Sequence, residues 1–378
     1  MRRKLFQTLV MGLILVPFLV CGASAKTLKI GSMGPLTGPY AADGNDIKNG
    51  VLTAIEVIEE QGGVAGYDKI ELFPQDTACD PKQAVAAANK LINLEVVGVV
   101  GAYCSSSTIP ASETLAEEDI IMLTPASTNE QVTDRGLKYM FRVCGRDDDQ
   151  APAAVTFMKK ALNAKTIFIV DDKTTYSQGL ADGVEKSCKA MGIKVVGRDH
   201  VNQGDKDFSA VLTMVKRSNP DILYMSLQNH ASGSLMAIQA QRQALKSTIV
   251  SQDAMYHPNF VKVAKEAAEG IYVTYGYTDK STPAYKNYEK RFTAKYGEVG
   301  AYGTYAYDAA IALLTAIKNA KSTDPAKVKA ELLKLDYQGA SKHMKFRANG
   351  DSGSSYIAYK ITGGEYVPYW TPEMGILK

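Results

Sequence analysis

Histidine and tryptophan are scarce in this chain, at 4 and 1 of its 378 residues. The histidines are His200, His230, His257 and His343, and none begins His-Glu-x-x-His, the spacing that sets two zinc ligands on one helix face. Gly-x-Ser-x-Gly, the elbow that exposes a hydrolytic serine, is absent too. Gly31-Ser32-Met33-Gly34 follows an apolar run but lacks the full glycine pattern of a dinucleotide loop. The reading is therefore not an enzyme, with no metal and no other cofactor. Charge of one sign is missing as well. Lys and Arg number 43 against 40 Asp and Glu, and three of the cations are Arg2, Arg3 and Lys4. Without that short N-terminal stretch the two signs balance, so the basic excess of a nucleic-acid binder is absent. No apolar run after residue 25 is long enough to span a bilayer.

The N-terminus itself reads as a secretory signal over residues 1–25. Arg2, Arg3 and Lys4 lead, Leu5 to Val20 is apolar, and Ala23-Ser24-Ala25 supplies the small residues of a cleavage site. Val20 before Cys21 is too large for the usual lipid-attachment site. The mature chain is expected to begin at Lys26, in the periplasm. Export places Cys79, Cys104, Cys144 and Cys188 in an oxidising compartment, where four cysteines allow three pairings. Cys79 precedes the helix start Asp80-Pro81-Lys82, and Cys104 ends the next strand. Adjacent parallel strands bring those ends together, which favours Cys79–Cys104. Cys144 and Cys188 are either a second pair or two buried thiols.

Short β-like runs alternate with helical stretches through the mature chain. The runs are Leu28–Met33, Ile70–Gln75, Val96–Ala102, Ile120–Leu123, Thr166–Val170, Lys194–Val196, Ile222–Leu227, Ile249–Ser251 and Ile271–Tyr275. Helices are expected over Asn45–Glu60, Pro81–Asn93, Ser107–Glu117, Pro152–Leu162, Gln178–Met191, Phe208–Lys216, Pro283–Tyr296, Tyr305–Ala320 and Pro325–Leu335. Such alternation predicts an α/β fold of two doubly wound parallel-sheet lobes. The rhythm breaks after Met140–Val143, near Thr274–Thr278 and near Gly350–Ser355, giving three hinge crossings. Lobe 1 is then 26–143 with 277–352, and lobe 2 is 144–276 with 353–378. A ligand is expected in the cleft between them.

Two segments carry the chemistry. Cys104-Ser105-Ser106-Ser107-Thr108 and Thr124-Pro125-Ala126-Ser127-Thr128 each follow a strand-like run, and the first also opens a helix. Hydroxyls and free N–H groups at strand ends and a helix N-terminus suit a carboxylate. Ser105, Ser127 and Thr128 supply donors, and Asp253 supplies an anion at another strand end. That set matches a zwitterion. Tyr302, at a loop edge, is a further pocket candidate. Arg146 with Asp147, Asp148 and Asp149 reads as a helix start near the hinge.

Several of these stretches resemble the periplasmic leucine/isoleucine/valine-binding proteins in order and spacing. They are Cys79-Asp80-Pro81-Lys82-Gln83-Ala84-Val85, Cys104 to Ser112, Thr124 to Thr128, and Gly145-Arg146-Asp147. The likeness is dense from Leu28 to about Gln150 and looser to about Thr362. It implies a type I periplasmic binding fold that delivers an amino acid, branched-chain or related, to an ABC permease. It also implies that Ser105 and Thr128 hold the carboxylate, that the Ala126 carbonyl accepts from the ammonium, that Cys79 and Cys104 are bridged, and that Tyr176 closes over the ligand from lobe 2. The chain departs from the family at Gln228, where a tyrosine is usual, and at Asp253, where a glutamate is usual. These departures bear on which ligand is held. An ammonium-free carboxylate or amide, such as an aromatic acid, is the alternative ligand, and a receptor-coupled sensor the alternative role. A monomer is expected.

Overall fold

The computed structural model describes residues 26–377, so the signal segment lies outside the described residues. The chain opens with β1 (Thr27–Gly34), α1 (Ala41–Glu60), β2 (Lys69–Asp76), α2 (Pro81–Asn93), β3 (Gly98–Val100), α3 (Ser105–Glu117), β4 (Ile121–Thr124), α4 (Gln131–Asp134) and β5 (Met140–Arg142). It continues through α5 (Asp147–Lys160), β6 (Thr166–Asp171), α6 (Thr175–Met191), β7 (Lys194–His200), α7 (Ser209–Ser218), β8 (Ile222–Ser226), α8 (His230–Arg242), β9 (Thr248–Ser251), α9 (Pro258–Ala264) and β10 (Tyr272–Gly276). Last come α10 (Pro283–Tyr296), α11 (Gly303–Ala320), α12 (Pro325–Leu332), β11 (Tyr337–Gln338), β12 (His343–Met344), β13 (Tyr356–Thr362), β14 (Glu365–Thr371) and β15 (Gly375–Ile376).

Two sheets result. The first, in the order β2-β1-β3-β4-β5, is parallel throughout. The second runs β15-β14-β13-β10-β9-β8-β6-β7, parallel from β7 to β10 and closed at one end by antiparallel β13, β14 and β15. The central parallel strands are buried on both faces because helices cover both, as β3, β4, β8 and β10 show. Helices α10 to α12 return to the first sheet. Leu313 and Ile317 of α11 share a core with Val51 of α1 and Leu28 of β1. The chain passes between the sheets three times: after β5, after β10 and before β13. Among the described residues no helix is long and apolar enough to cross a membrane.

Some elements depart from the sequence reading. β3 is shorter than Val96–Ala102 because Gly101 turns at φ 145°, its backbone against Met33; a Cβ there would stand 2.3 Å from the Met33 carbonyl oxygen. α5 starts at Asp147 rather than Pro152, since three aspartates in its first turn face the positive end of the helix dipole. α8 was not among the expected helices. Its N-cap Asn229 accepts from the N–H groups of Ala231 and Ser232. The β14–β15 hairpin was also not expected.

Candidate functional site

The site lies where strand ends of the two sheets face each other. On the first sheet, Cys104 caps α3 and Ser105 is its first residue. Cys79 and Cys104 are bridged, with Cα atoms 5.5 Å apart, which ties the β2 end to the α3 start. Cys144 and Cys188 are free and buried, and burial pushes both thiols up to about 12. The loop after β4 runs beside α3. Thr124 Oγ1 donates to the Ala102 carbonyl at 2.9 Å and accepts from Ser127 N–H at 3.1 Å. Ser127 Oγ lies 2.6 Å from Thr108 Oγ1 and 3.0 Å from the Tyr103 carbonyl.

That last geometry corrects one expectation. The Ser127 hydroxyl is spent on tying the two loops together and does not reach the cavity. Ser105 and Ala126 do line it. Thr128 lines an adjoining hollow beside Cys144, Gly145 and Asp253, and its buried hydroxyl has no partner.

A single residue holds this loop in place. Arg142, at the end of β5, is 0% exposed. Its Nη1 donates to the carbonyls of Thr128 at 2.9 Å and Asn129 at 2.7 Å, and its Nε donates to Asp351 at 2.8 Å. Arg146 reaches the other oxygen of Asp351, also at 2.8 Å. Burial works against the Asp351 carboxylate, yet the two arginines hold it below the usual carboxylate range. Strand β5, the final crossing and the Thr128 loop are thus locked together.

From the other sheet come Tyr176, near the start of α6, Gln228, after β8, and Asp253, after β9. The Tyr176 hydroxyl reaches Asp253 Oδ1 and Gln252 Oε1, both at 2.5 Å. Tyr302, in the turn before α11, donates to Asp253 Oδ2 at 3.2 Å. Gln228 Nε2 meets Cys104 Sγ at 2.6 Å across the cleft. Seven of the eight residues singled out from sequence therefore face one region; Ser127 alone turns away. The cavity beside Ser105, Ala126, Tyr176, Gln228, Asp253 and Tyr302 is narrow, about 10 Å³. A larger cleft of about 240 Å³, walled by Tyr256, Tyr275, Tyr285 and Tyr366, contains none of them.

The electrostatics are lopsided. Asp253 is buried, and no cation pairs with it among the described residues. Burial raises its pKa against hydrogen bonds from Tyr176, Gln150 and Tyr302. Asp147 is raised well above the usual carboxylate range, first by burial and then by Asp253, and both its oxygens lack partners. Opposite these acids stands the N-terminus of α3, positive by its dipole. A buried acid without a cation facing a helix N-terminus leaves room for a ligand charged at both ends.

Sequence reasoning missed several neighbours. Tyr103 lines the cavity and packs edge-on to Tyr302, their ring centroids 5.2 Å apart. Its place between Ala102 and Cys104 was the available signal. Asp43, His230 and His257 gather from three distant segments, with one potential ligand atom each within 4.8 Å of the others. Nothing in the sequence links them.

Comparison with known proteins follows the same lines. Residues 27–364 match the family described as periplasmic binding protein. An amino acid binding protein of Pseudomonas aeruginosa is 36% identical, over 95% of this chain and 97% of that one. The Leu/Ile/Val-binding protein BraC3 of Rhizobium johnstonii is 35% identical, over 97% and 98%. Among solved structures, the leucine-binding protein LivK of Thermotoga maritima superposes with a TM-score of 0.85 at 30% identity, covering 92% of this chain and 99% of that one. LivJ of Streptococcus pneumoniae, in complex with isoleucine, superposes at 0.82 with 25% identity, covering 90% and 98%.

Proposed function

This chain belongs to the periplasmic binding protein family, in its branched-chain amino acid type, and from that premise we propose that it captures an α-amino acid head-first in the interlobe cleft and delivers it to an ABC permease. The observation that carries the reading is Asp253: a buried carboxylate, without a cation, on the cavity wall opposite the α3 N-terminus. The ligand carboxylate docks on the Ser105 hydroxyl, the first turn of α3 and the unpaired Thr128 hydroxyl. Its ammonium meets Asp253 and the Ala126 carbonyl. Lobe 2 brings Tyr176 and Gln228 over it on closing. Hydrogen bonds to charged groups in such a dry site contribute about 1.5–3 kcal/mol each. The chain acts in the periplasm, after removal of residues 1–25, as a monomer.

Refolded, ligand-free protein screened against the twenty amino acids by melting temperature tests the reading. Ligand at a hundredfold excess over its Kd stabilises the folded state by about 2.7 kcal/mol. A panel in which no amino acid moves the transition would sink it.

A further inference from the structure

We propose that Asp43, His230 and His257 form the side-chain-reading end of this cavity, and that the ligand is an amino acid with a short uncharged polar side chain, a carboxamide or a hydroxyl. The inference rests on the amino-acid reading of the cleft and goes further than it. The cluster adjoins the cavity through the chain itself. Gln228 and Asp253 wall the cavity; His230, the first residue of α8, lies two residues beyond the one, and His257, which caps α9, four beyond the other. Asp43 comes from the opposite lobe, in the first turn of α1. Tyr40 just before it lies 5.9 Å, ring centroid to centroid, from the wall residue Tyr103. Asp43 also raises the pKa of Tyr103, second only to burial.

The three side chains are buried, and one of the Asp43 oxygens is unsatisfied. Asp43 is 2% exposed, and its Oδ2 has no hydrogen-bond partner. His230 Nδ1 stands 3.8 Å from that Oδ2 and His257 Nε2 3.6 Å from Oδ1, both too far for a hydrogen bond. His257 Nδ1 accepts from the Asn259 N–H at 3.0 Å, so its neutral ring carries hydrogen on Nε2, aimed at Asp43. Burial, with Asp46 beside it, pushes Asp43 up to about 8. Burial pulls His230 down to about 4, and burial with the charges of His230 and Lys262 pulls His257 down to about 3. At neutral pH this end of the cleft is largely uncharged, with Asp43 Oδ2 unmet.

An uncharged polar side chain entering as the lobes close meets that need. An aliphatic one seals it away unmet, and a site built for hydrogen bonds rejects an apolar analogue for that reason. A metal ion fits less well. The two imidazoles are stacked, centroids 4.0 Å apart with planes 2° from parallel, so their in-plane lone pairs cannot converge on one ion. Ligation through His257 Nε2 would also need hydrogen on Nδ1, where the Asn259 N–H already points.

Calorimetry on ligand-stripped protein decides it, with glutamine, asparagine, serine and threonine set against leucine, isoleucine and valine. The expected result is that one of the first four binds at least tenfold more tightly than any of the other three. Asp43→Leu should cut that preference at least tenfold, and Asp43→Asn should keep it. His230→Leu is the second apolar variant should Asp43→Leu fail to fold by circular dichroism. An aliphatic ligand binding tightest overturns this inference and leaves the head-group reading standing. Equal weakening of all seven by Asp43→Leu overturns it as well, making the cluster merely structural. Zinc chloride alone stabilising the wild type but not His230→Gln reassigns the cluster to a metal. Binding by none of the seven removes the head-group reading and this inference together.

Discussion

Asp351 and Asp253 are equally hidden from water, at 1% and 4% exposure, yet they sit in opposite surroundings. Asp351 is gripped by Arg142 and Arg146 and held below the usual carboxylate range despite its burial. Asp253 is hydrogen-bonded by uncharged groups, those of Tyr176, Gln150 and Tyr302, and is raised. The first arrangement is complete within the chain, and the second is complete only with something added. On the proposed reading, the contrast separates a structural knot at the hinge from a site for a ligand charged at both ends.

The sharpest way to break the contrast is at the knot. Arg142→Leu strands Asp351 with one cation fewer and frees the carbonyls of Thr128 and Asn129. Removing one partner of a buried pair costs about 3–5 kcal/mol. Urea denaturation should show that loss. A loss under about 1 kcal/mol would mean the knot is not what holds the Thr128 loop.

The histidine pair sharpens the same point through pH. His230 and His257 fall from 6.5 to about 4 and about 3 on folding, so between those values the unfolded chain binds more protons than the folded one. Stability is full above 6.5 and is lost as pH falls. Each histidine should remove about 2 kcal/mol between pH 7 and pH 5. Asp43 and Asp46 titrate in the opposite sense but are common to wild type and variant. The double variant His230→Gln, His257→Gln should therefore resist acid better than wild type, by denaturation midpoint. Parallel pH curves would show the pair is not buried neutral.

Asp253→Asn comes next in size. The amide keeps an acceptor for Tyr176 and removes a raised carboxylate, so ligand-free stability should hold or rise. Affinity for a zwitterion should drop ten- to a hundredfold, about 1.5–3 kcal/mol, with the loss of one charged hydrogen bond. Unchanged or tighter binding by calorimetry would instead point to a ligand without an ammonium.

How much of this was legible in the sequence follows from the physics of each element. All nine β-like runs lie within or overlap real strands, because a strand covered on both faces must be apolar throughout. β14, Glu-Tyr-Val-Pro-Tyr-Trp-Thr, evades that rule: it is half exposed and carries Pro368. α8 begins His-Ala-Ser-Gly-Ser, all but the alanine weak helix formers, which Asn229 and tertiary packing recruit. Ser105, Thr128 and Asp253 were readable because strand ends and a helix N-terminus locate them. Asp43, His230 and His257 were not, since each is unremarkable in its own segment and the three meet only across the cleft. Among adjacent hydroxyls the sequence cannot say which turns inward, and Ser127 did.

That ambiguity yields the smallest test. Ser105 Oγ accepts one long bond from the Asn129 N–H, at 3.3 Å, and otherwise faces the cavity. Ser127 Oγ is engaged with Thr108 and the Tyr103 carbonyl. Ser105→Ala should weaken binding at least tenfold, about 1.4 kcal/mol, while ligand-free stability stays within about 0.5 kcal/mol. Ser127→Ala should do the reverse, costing about 1 kcal/mol of stability as Thr108 loses its partner, with a smaller change in affinity. The pair is read by calorimetry and urea midpoints on the same samples. If the two serines exchange these signatures, the hydroxyl at the α3 N-terminus is packing and the one in the β4 loop is the ligand's partner.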